Sequence, residues 1–418
     1  MYDLIVIGGG AAGLMAAGTA AERGLKVVLL EKMEKPGRKI RITGKGRCNL
    51  TNIKPEEEFL TKIQVNRDFF IPAYREFDNN KLVRFFNKKG VKLVTEQGGR
   101  VYPKSGKAWD IAEALAEWCE ESGVETICHA EVRELMLFNG RIRGVNYKTK
   151  KGFQRRMEAP AVIIATGGAS YPATGSTGDG YVIAHKAGHT IVPVRPSLVP
   201  LESDYSEIPY MKGLQLRNVS VKLYIDGEIA GEEFGEMSIS ERGLEGALIL
   251  RLSRLAVDAI IDGKKVGIAI DFKPALDEET LRARIDRELA ELPLESPLSD
   301  LLRKLVPREL VTPVAKAIDS HSKRPLKEFG AEKAEKLVKV LKDFRIGISD
   351  YRPFEEAIVT AGGISTDEID PATMGSKIIQ GLYFAGEVID LDANTGGYNL
   401  QIAFSTGRLA GQLKQRPE

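Results

Sequence analysis

An α/β fold organised around a buried parallel sheet is predicted by three stretches of this 418-residue chain. At the start, "YDLIVIGGGAAGLMAAGTAAERGLKVVLLE" (Tyr2–Glu31) reads as strand, glycine turn, small-residue helix, strand and acid. In the middle, an alternating segment with two glycine turns runs into "AVIIATGG" (Ala161–Gly168), a strand with a glycine end. Near the end, "GLYFAGEVIDLDANTGGYNLQ" (Gly381–Gln401) reads as a strand, a glycine-rich loop and the start of a helix.

The first stretch carries the most chemistry. Tyr2–Ile7 is a short β-branched run, hence a strand. Gly8-x-Gly10-x-x-Gly13 follows at once, Ala11–Arg23 is a small-residue helix closed by Gly24, and Lys26–Leu30 is a second strand. Glu31 stands at its end, 18 residues past Gly13. Gly8 permits the sharp turn, Gly10 lets backbone approach a pyrophosphate, and Gly13 lets helix pack on strand. The N–H groups at the helix start, around Ala11 and Ala12, suit phosphate oxygens. Glu31 suits ribose hydroxyls, with Lys32 beside it. GxGxxG alone is a weak signal; set between strand and helix with its acid, it is a strong dinucleotide signature. It fits NAD and FAD equally.

Along the chain, Phe69–Gly90 has a helical pattern with Phe70, Tyr74, Phe77, Phe85 and Phe86 on apolar stripes. Ala108–Ser122 is an amphipathic helix carrying Cys119, and Val124–Ala130 is a third parallel-type strand. Glu131–Glu158, with turns at Asn139-Gly140 and Lys151-Gly152, reads as a three-stranded meander. Pro193–Pro200, "PVRPSLVP", reads as an exit linker. Beyond it, Val219–Asp226 and Val266–Phe272 are strand-like. Gly246–Asp262, Glu278–Leu292, Pro297–Asp319 and Ala331–Phe344 are helical by period. The final stretch decides between the two dinucleotides. A helix starting near Tyr398 would aim N–H groups and a positive dipole at an electron-rich edge. A flavin presents one, where charge collects on reduction; a nicotinamide enzyme needs no such return. FAD is therefore the expected cofactor.

Composition narrows the class. Lys+Arg 60 against Asp+Glu 58 gives a net charge of +2, which argues against nucleic acid or anionic membrane as a partner for the chain as a whole. Three cysteines, Cys48, Cys119 and Cys128, form no disulfide framework and no CxxC metal pair; a reducing cytoplasm and no metal are expected. Leu4–Ala21 is 18 residues without charge. Three glycines interrupt it, and each costs a helix roughly 1 kcal/mol, so it reads as strand, turn and buried helix rather than a membrane span.

The set "IGGGAAG", "GRKIRITGKGRCNLTN", "ATGG", "TAGGIS" and "GLYFAGEVIDLDANTGGYNLQ" resembles the bacterial NAD(FAD)-utilising dehydrogenase family, with its BaiN-type and aminoacetone-oxidase-like flavoproteins. The meander before a glycine-ended strand resembles the FAD domain of glutathione-reductase-like proteins. The resemblance implies a Rossmann FAD domain over 1–193 and 350–418, an inserted β-barrel-like domain over 194–275 and a small helical domain over 276–349. It implies that the inserted parts set specificity. By motif, Gly8, Gly10, Ala12 and Gly13 hold the pyrophosphate, Glu31 the ribose, and Arg38 and Lys39 lie beside the phosphates. Val132 meets the adenine through its backbone, and Ala165, Thr166 and Gly167 lie near the adenosine and pyrophosphate. Gly386 and Glu387 contact the ribityl or pyrophosphate, and Gly397, Tyr398, Asn399 and Leu400 lie at the flavin pyrimidine end. One segment departs from the family. Where many members carry "THxGxSGP", this chain has "SERGLEGA" (Ser240–Ala247), with Glu241, Glu245 and Ala247 in place of His, Ser and Pro.

"ITGKGRCNLTN" (Ile42–Asn52) remains the oddest stretch, and Lys35–Arg47 holds six basic residues and no acid. Gly44 and Gly46 would bring backbone to the flavin, and Arg47, Cys48 and Asn49 are the residues expected to line the ring and the weak candidates for catalysis. Cys48 has two readings: a packed small residue, or a thiolate whose pKa the local cations depress. His185 and His189 lie four apart, but Gly188 breaks the helix between them; solvated or capping roles are expected. "GSTGDGY" (Gly175–Tyr181) reads as a loop near the flavin entering a helix. No second nucleotide domain is evident, so NADH or NADPH would act as a transient co-substrate, or oxygen would reoxidise the flavin. The expected activity is hydride transfer between a small organic substrate and flavin N5. Two other readings stay open: a flavin-dependent RNA-modifying or RNA-binding protein using the Lys35–Arg47 run, and a flavin-binding redox sensor without turnover.

Overall fold

A computed structural model of the chain describes residues 1–414. They fall into two compact units, one of Met1–Pro196 together with the chain from Ala357 onward, the other of Ser197–Glu356.

The first unit is built on a five-stranded sheet. Its elements are β1 (Leu4–Ile7), α1 (Ala11–Glu22), β2 (Val27–Glu31), α2 (Ala108–Glu121), β3 (Glu125–Cys128), β4 (Ala161–Ile164), β5 (Leu382–Phe384) and α3 (Tyr398–Ala410). The strands run in the order β5-β4-β1-β2-β3, all parallel. Leu4 pairs with Val27 on one side and Ala161 on the other. β1, β2, β4 and β5 are buried along their whole length, which is why they read as continuous apolar runs. α1 and α3 pack closely because both present small residues: a side chain on Gly407 would strike the Ala12 carbonyl, and one on Gly411 that of Ala16. Trp118 of α2 lies against Gly18 of α1 and donates from Nε1 to Glu22 at 2.8 Å.

Three smaller sheets surround it. The meander runs Ala130–Phe138, Arg141–Thr149 and Gln154–Glu158. Thr51–Asn52, Leu93–Thr95 and Arg100–Pro103 form a second. Ile191–Ser197 pairs with Val359–Ile364. That last pairing corrects the linker reading of Pro193–Pro200, most of which is a strand. Its prolines fit because a two-stranded sheet leaves one side of each strand without a ladder to donate to. Two further boundaries differ. The expected helix over 69–90 is two helices, Arg67–Glu76 and Asn79–Lys88, because Asp78 caps the second by accepting from the Lys81 N–H at 2.7 Å. The strand expected over 124–130 breaks at His129, whose φ of 56° turns the chain from β3 into the meander.

The second unit holds a seven-stranded antiparallel sheet in the spatial order Phe344–Ile348, Val266–Asp271, Gln215–Ile225, Glu228–Ile239, Gly243–Glu245, Leu201–Glu202 and Asp350–Tyr351. Helices Ala247–Ile261, Glu278–Ala290, Leu298–Leu305, Val311–Ala317 and Ala331–Lys342 accompany it. Leu223 and Ile268 of the sheet share one apolar cluster with Leu281, Leu301 and Leu337 of the helices. The divergent Ser240–Ala247 segment forms a turn, the short strand Gly243–Glu245 and the start of the helix at Ala247. Its Glu241 is exposed and accepts from Lys212 Nζ at 2.6 Å.

Candidate functional site

The glycine turn after β1 is fixed by contacts that leave no room for other residues. Gly8 has φ of +100°, and a Cβ there would lie 2.6 Å from the Ala165 carbonyl oxygen. A Cβ on Gly13 would lie 1.9 Å from the Gly8 carbonyl oxygen. Gly10 is different, because a Cβ there meets no protein atom within 4 Å. The backbone at Gly10 therefore borders open space. α1 begins at this point with no side-chain cap, so its first N–H groups are offered outward. Ala165 N donates to the Ile7 carbonyl at 2.9 Å, which sets the end of β4 against the same turn.

Glu31 closes this corner. Its Oε2 accepts from the Gly9 N–H and its Oε1 from the Met33 N–H, both at 2.7 Å. The Met33 carbonyl accepts from His129 N at 3.0 Å, which ties the acid's loop to the start of the meander carrying Val132. Lys32 is occupied by Asp179 and by Thr177, the latter at 2.6 Å, so "GSTGDGY" folds back over β2 and enters the helix Asp179–Lys186.

Four of the six cations of the basic run are paired with acids. Arg38 meets Glu34, and its other terminal nitrogen donates to the Ala173 carbonyl at 3.1 Å. Arg41 donates to Glu113 at 2.7 Å while stacking over Trp109. Arg47 pairs with Glu96 and stacks over Tyr102, its charge favoured by the Glu96 hydrogen bond. Four of the six cations of the Lys35–Arg47 run are thus spent on acids, which weakens the feature on which its RNA-binding reading stood. Apart from Glu34, the neutralising acids are distant in sequence, so composition of the run alone misses them.

Lys39 makes the most consequential of these pairs. Its Nζ donates at 2.8 Å both to Ser170 Oγ and to Glu387 Oε2. Glu387 Oε1 accepts from Ser170 Oγ at 2.9 Å and from the Thr360 N–H at 2.8 Å. Burial pushes the Glu387 carboxyl up, but Lys39, the Thr360 N–H and Ser170 outweigh it and hold it below the ordinary carboxylate value. Four chain segments thus meet at one carboxylate. Ser170 was absent from the sequence reading, since nothing in its spacing marks it, and Thr360 entered only as the first residue of "TAGGIS", with no role assigned to it.

Segment 43–52 docks on the start of α3. Cys48 is fully buried, and burial pushes its thiol up to about 12. Burial thus favours the packed reading of Cys48 over the thiolate. Asn49, with its amide oriented to satisfy its neighbours, donates to the Thr51 carbonyl at 3.2 Å and accepts from the Gly397 N–H at 3.1 Å. Thr51 donates to Gln401 at 2.6 Å, and Asn52 donates to the Gly396 carbonyl at 3.3 Å. Asn399 spans its own loop, its Oδ1 accepting from Ala393 N at 2.9 Å and its Nδ2 donating to the Ala393 carbonyl at 2.7 Å. Tyr398 is buried against Phe59, and Leu400 is half-buried. Gly386 and Ala12 touch, which brings the β5 loop to the first turn of α1.

The histidines do not converge. His185 is exposed, whereas His189 is buried, contrary to the solvated role expected for it. Its Nδ1 lies 3.1 Å from Glu368 Oε2 and its Nε2 2.9 Å from Ser376 Oγ. Among the described residues no group of His, Cys, Asp and Glu is placed to hold a metal, and no helix is long and apolar enough to cross a membrane.

The HI0933-like protein Rossmann domain family matches residues 2–413. The chain belongs to this family. Its members are FAD-dependent oxidoreductases, and this chain is one of them. A 3-dehydro-bile acid delta(4,6)-reductase of Clostridium scindens is 31% identical over the whole of both chains. A ribosomal RNA dihydrouridine synthase of Escherichia coli is 30% identical over 98% of this chain and 97% of its own. Among solved structures, a 3-ketosteroid delta1-dehydrogenase from Sterolibacterium denitrificans in complex with 1,4-androstadiene-3,17-dione matches with a TM-score of 0.53 at 14% identity, covering 98% of each chain. A flavocytochrome c3 fumarate reductase in its open conformation matches at 0.50 and 19%, covering 98% of this chain and 77% of that one. These likenesses establish the fold: an α/β FAD-binding Rossmann sheet accompanied by antiparallel sheets. The uncapped start of α1, the open space at Gly10 and the fixed Glu31 carboxylate fit such a cofactor.

Proposed function

We propose that this chain reduces a carbon–carbon double bond conjugated to a carbonyl in an organic substrate, with NADH or NADPH as the transient electron donor. The observation that carries this reading is one reaction shared by two full-length relatives. A delta(4,6)-reductase of a 3-dehydro steroid acid and a dihydrouridine synthase both saturate a double bond next to a carbonyl. Bound FAD, once reduced, supplies hydride from N5. The chain's residues do the rest. The α1 N–H groups and Gly10 receive the pyrophosphate, and Glu31 accepts from ribose hydroxyls in exchange for a backbone contact. The start of α3, held by Asn49 and Asn52, directs positive dipole to where charge collects. Cys48 stays a neutral packed spacer. The inserted portions, 194–275 and 276–349, set substrate choice.

An anaerobic stopped-flow experiment tests this. NADH or NADPH should bleach the yellow protein, and a conjugated enone should restore the colour faster than buffer alone. Recolouring only by oxygen, with no acceleration by an enone or by uridine-containing RNA, overturns the proposal.

A further inference from the structure

Gln401 closes the C-terminal glycine-rich motif and is fully buried in the first turn of α3. Its Oε1 accepts from Thr51 Oγ1 at 2.6 Å, and its Nε2 donates to the Phe77 carbonyl at 2.8 Å and to Ser405 Oγ at 2.9 Å. Ser405 Oγ in turn donates to the Phe77 carbonyl at 2.7 Å. Both N–H groups of the amide are therefore engaged by protein, and Gln401 has nothing left to donate to a cofactor. Any role it has in the flavin's chemistry runs through the helix that carries it.

The bonds tie three segments. Phe77 stands at the junction between the helices Arg67–Glu76 and Asn79–Lys88. From the same junction Asn79, also buried, donates from Nδ2 to the Asn52 carbonyl at 2.7 Å and to the Lys54 carbonyl at 2.9 Å. The junction thus grips segment 51–54 and α3 together, while Thr51 and Gln401 join those two directly. The approach is close, since a Cβ on Gly397 would lie 2.5 Å from the Thr51 carbonyl oxygen. Packing of α3 on α1 through Gly407 and Gly411 brings the two helices near, but apolar contact has no direction. Hydrogen bonds do.

We propose that Gln401 is a positioning residue for the flavin. With Thr51, Phe77 and Ser405 it fixes the axial position of α3, and so the distance from the helix N-terminus to the flavin edge where charge collects on reduction. This rests on the reading above that the start of α3 faces that edge. The helix field fades within its first turn, and slippage by one residue moves it by about 1.5 Å. Oxidised flavin carries no such charge, so a loosened α3 should weaken the binding of reduced FAD and leave that of oxidised FAD nearly as it was. By linkage, the difference appears as a lower midpoint potential.

The test measures the midpoint potential of FAD-loaded full-length protein by anaerobic dye equilibration, beside that of free FAD. The parent should lie above free FAD. Gln401→Met and, independently, Thr51→Val should bind reduced flavin about tenfold more weakly, a fall of about 30 mV, while the Kd for oxidised FAD changes by less than about threefold. Thr51→Ser keeps the hydroxyl and should keep the parent potential. A clamp that serves the fold alone would lower the melting temperature of Gln401→Met and Thr51→Val and leave the potential unmoved; that result overturns the proposal. Loss of oxidised FAD binding in both variants also overturns it. A parent potential at or below that of free FAD overturns the reading of α3 itself and the proposal with it, an outcome distinct from failure of the clamp alone.

Discussion

Single residues show how unevenly the sequence exposes function. Gly8, Gly10 and Gly13 look alike in the motif, yet only Gly10 borders space free of protein atoms. Gly10→Val should therefore leave the apoprotein melting temperature within a few degrees while lowering FAD affinity about 100-fold or more, because the valine occupies the path of the pyrophosphate. Isothermal titration of the apoprotein with FAD measures this directly. Cys48 illustrates the opposite case. Its neighbours in sequence are cations, but its neighbours in space are apolar, and its thiol is pushed up to about 12. Iodoacetamide at pH 8 should leave Cys48 unmodified in the folded protein and alkylate it after unfolding. Peptide mapping distinguishes these, and rapid labelling of the native protein contradicts the packed role. Burial at residue 48 was not legible in the sequence, because an i±1 view of charge cannot see what a segment packs against.

At the scale of elements, strand–turn–helix units were legible and their mutual bonds were not. β1, α1 and β2 follow from local apolar runs and glycine chemistry. The cluster at Glu387 joins residues 39, 170, 360 and 387, and no periodicity links such positions. Glu387→Ala leaves Lys39 and the Thr360 N–H without their acceptor. About one fifth of the Glu387 side chain reaches solvent, so the cost should be about 2 kcal/mol rather than that of a fully buried pair. Urea unfolding of apoprotein gives the number. The helix Asp179–Lys186 and the strand at Val359 are bridged by the region around His189. Burial lowers the His189 pKa from its usual 6.5, against the opposing pull of Glu368. The folded state therefore binds fewer protons here than the unfolded chain below that value. The resulting stability is complete above pH 6.5 and is lost as pH falls towards the folded pKa. The melting temperature should drop between pH 7 and pH 5, and His189→Asn should flatten part of that drop. Burial raises the Glu368 carboxyl, but its Thr190 and His189 contacts outweigh this and hold it below the ordinary 4.5, so its contribution is intact between pH 7 and pH 5 and is lost only at more acid pH.

For the whole molecule, a net charge of +2 conceals a division of labour. Four of the six Lys35–Arg47 cations are matched to acids, three of them from other segments, while seven of the eight meander cations make no ion pair among the described residues. A sum over the chain cannot report this, since it depends on which charges meet. The family and the parallel sheet were readable because each rests on short motifs whose geometry is local. The paired strands at 191–197 and 359–364 were hidden by prolines that a linker and a short two-stranded sheet tolerate alike.

The position of β5 has a consequence for how the protein is made. β4 waits for a partner that follows it by more than two hundred residues, with a complete compact unit, Ser197–Glu356, emerging in between. On the ribosome the inserted unit can fold while the edge of β4 is still bare, so the nascent chain carries an open template for wrong pairing until Leu382–Phe384 arrives. α3, which begins at Tyr398, comes later still. Capture of flavin should thus be among the last events of biosynthesis, and chains arrested before residue 380 should be colourless and prone to aggregate.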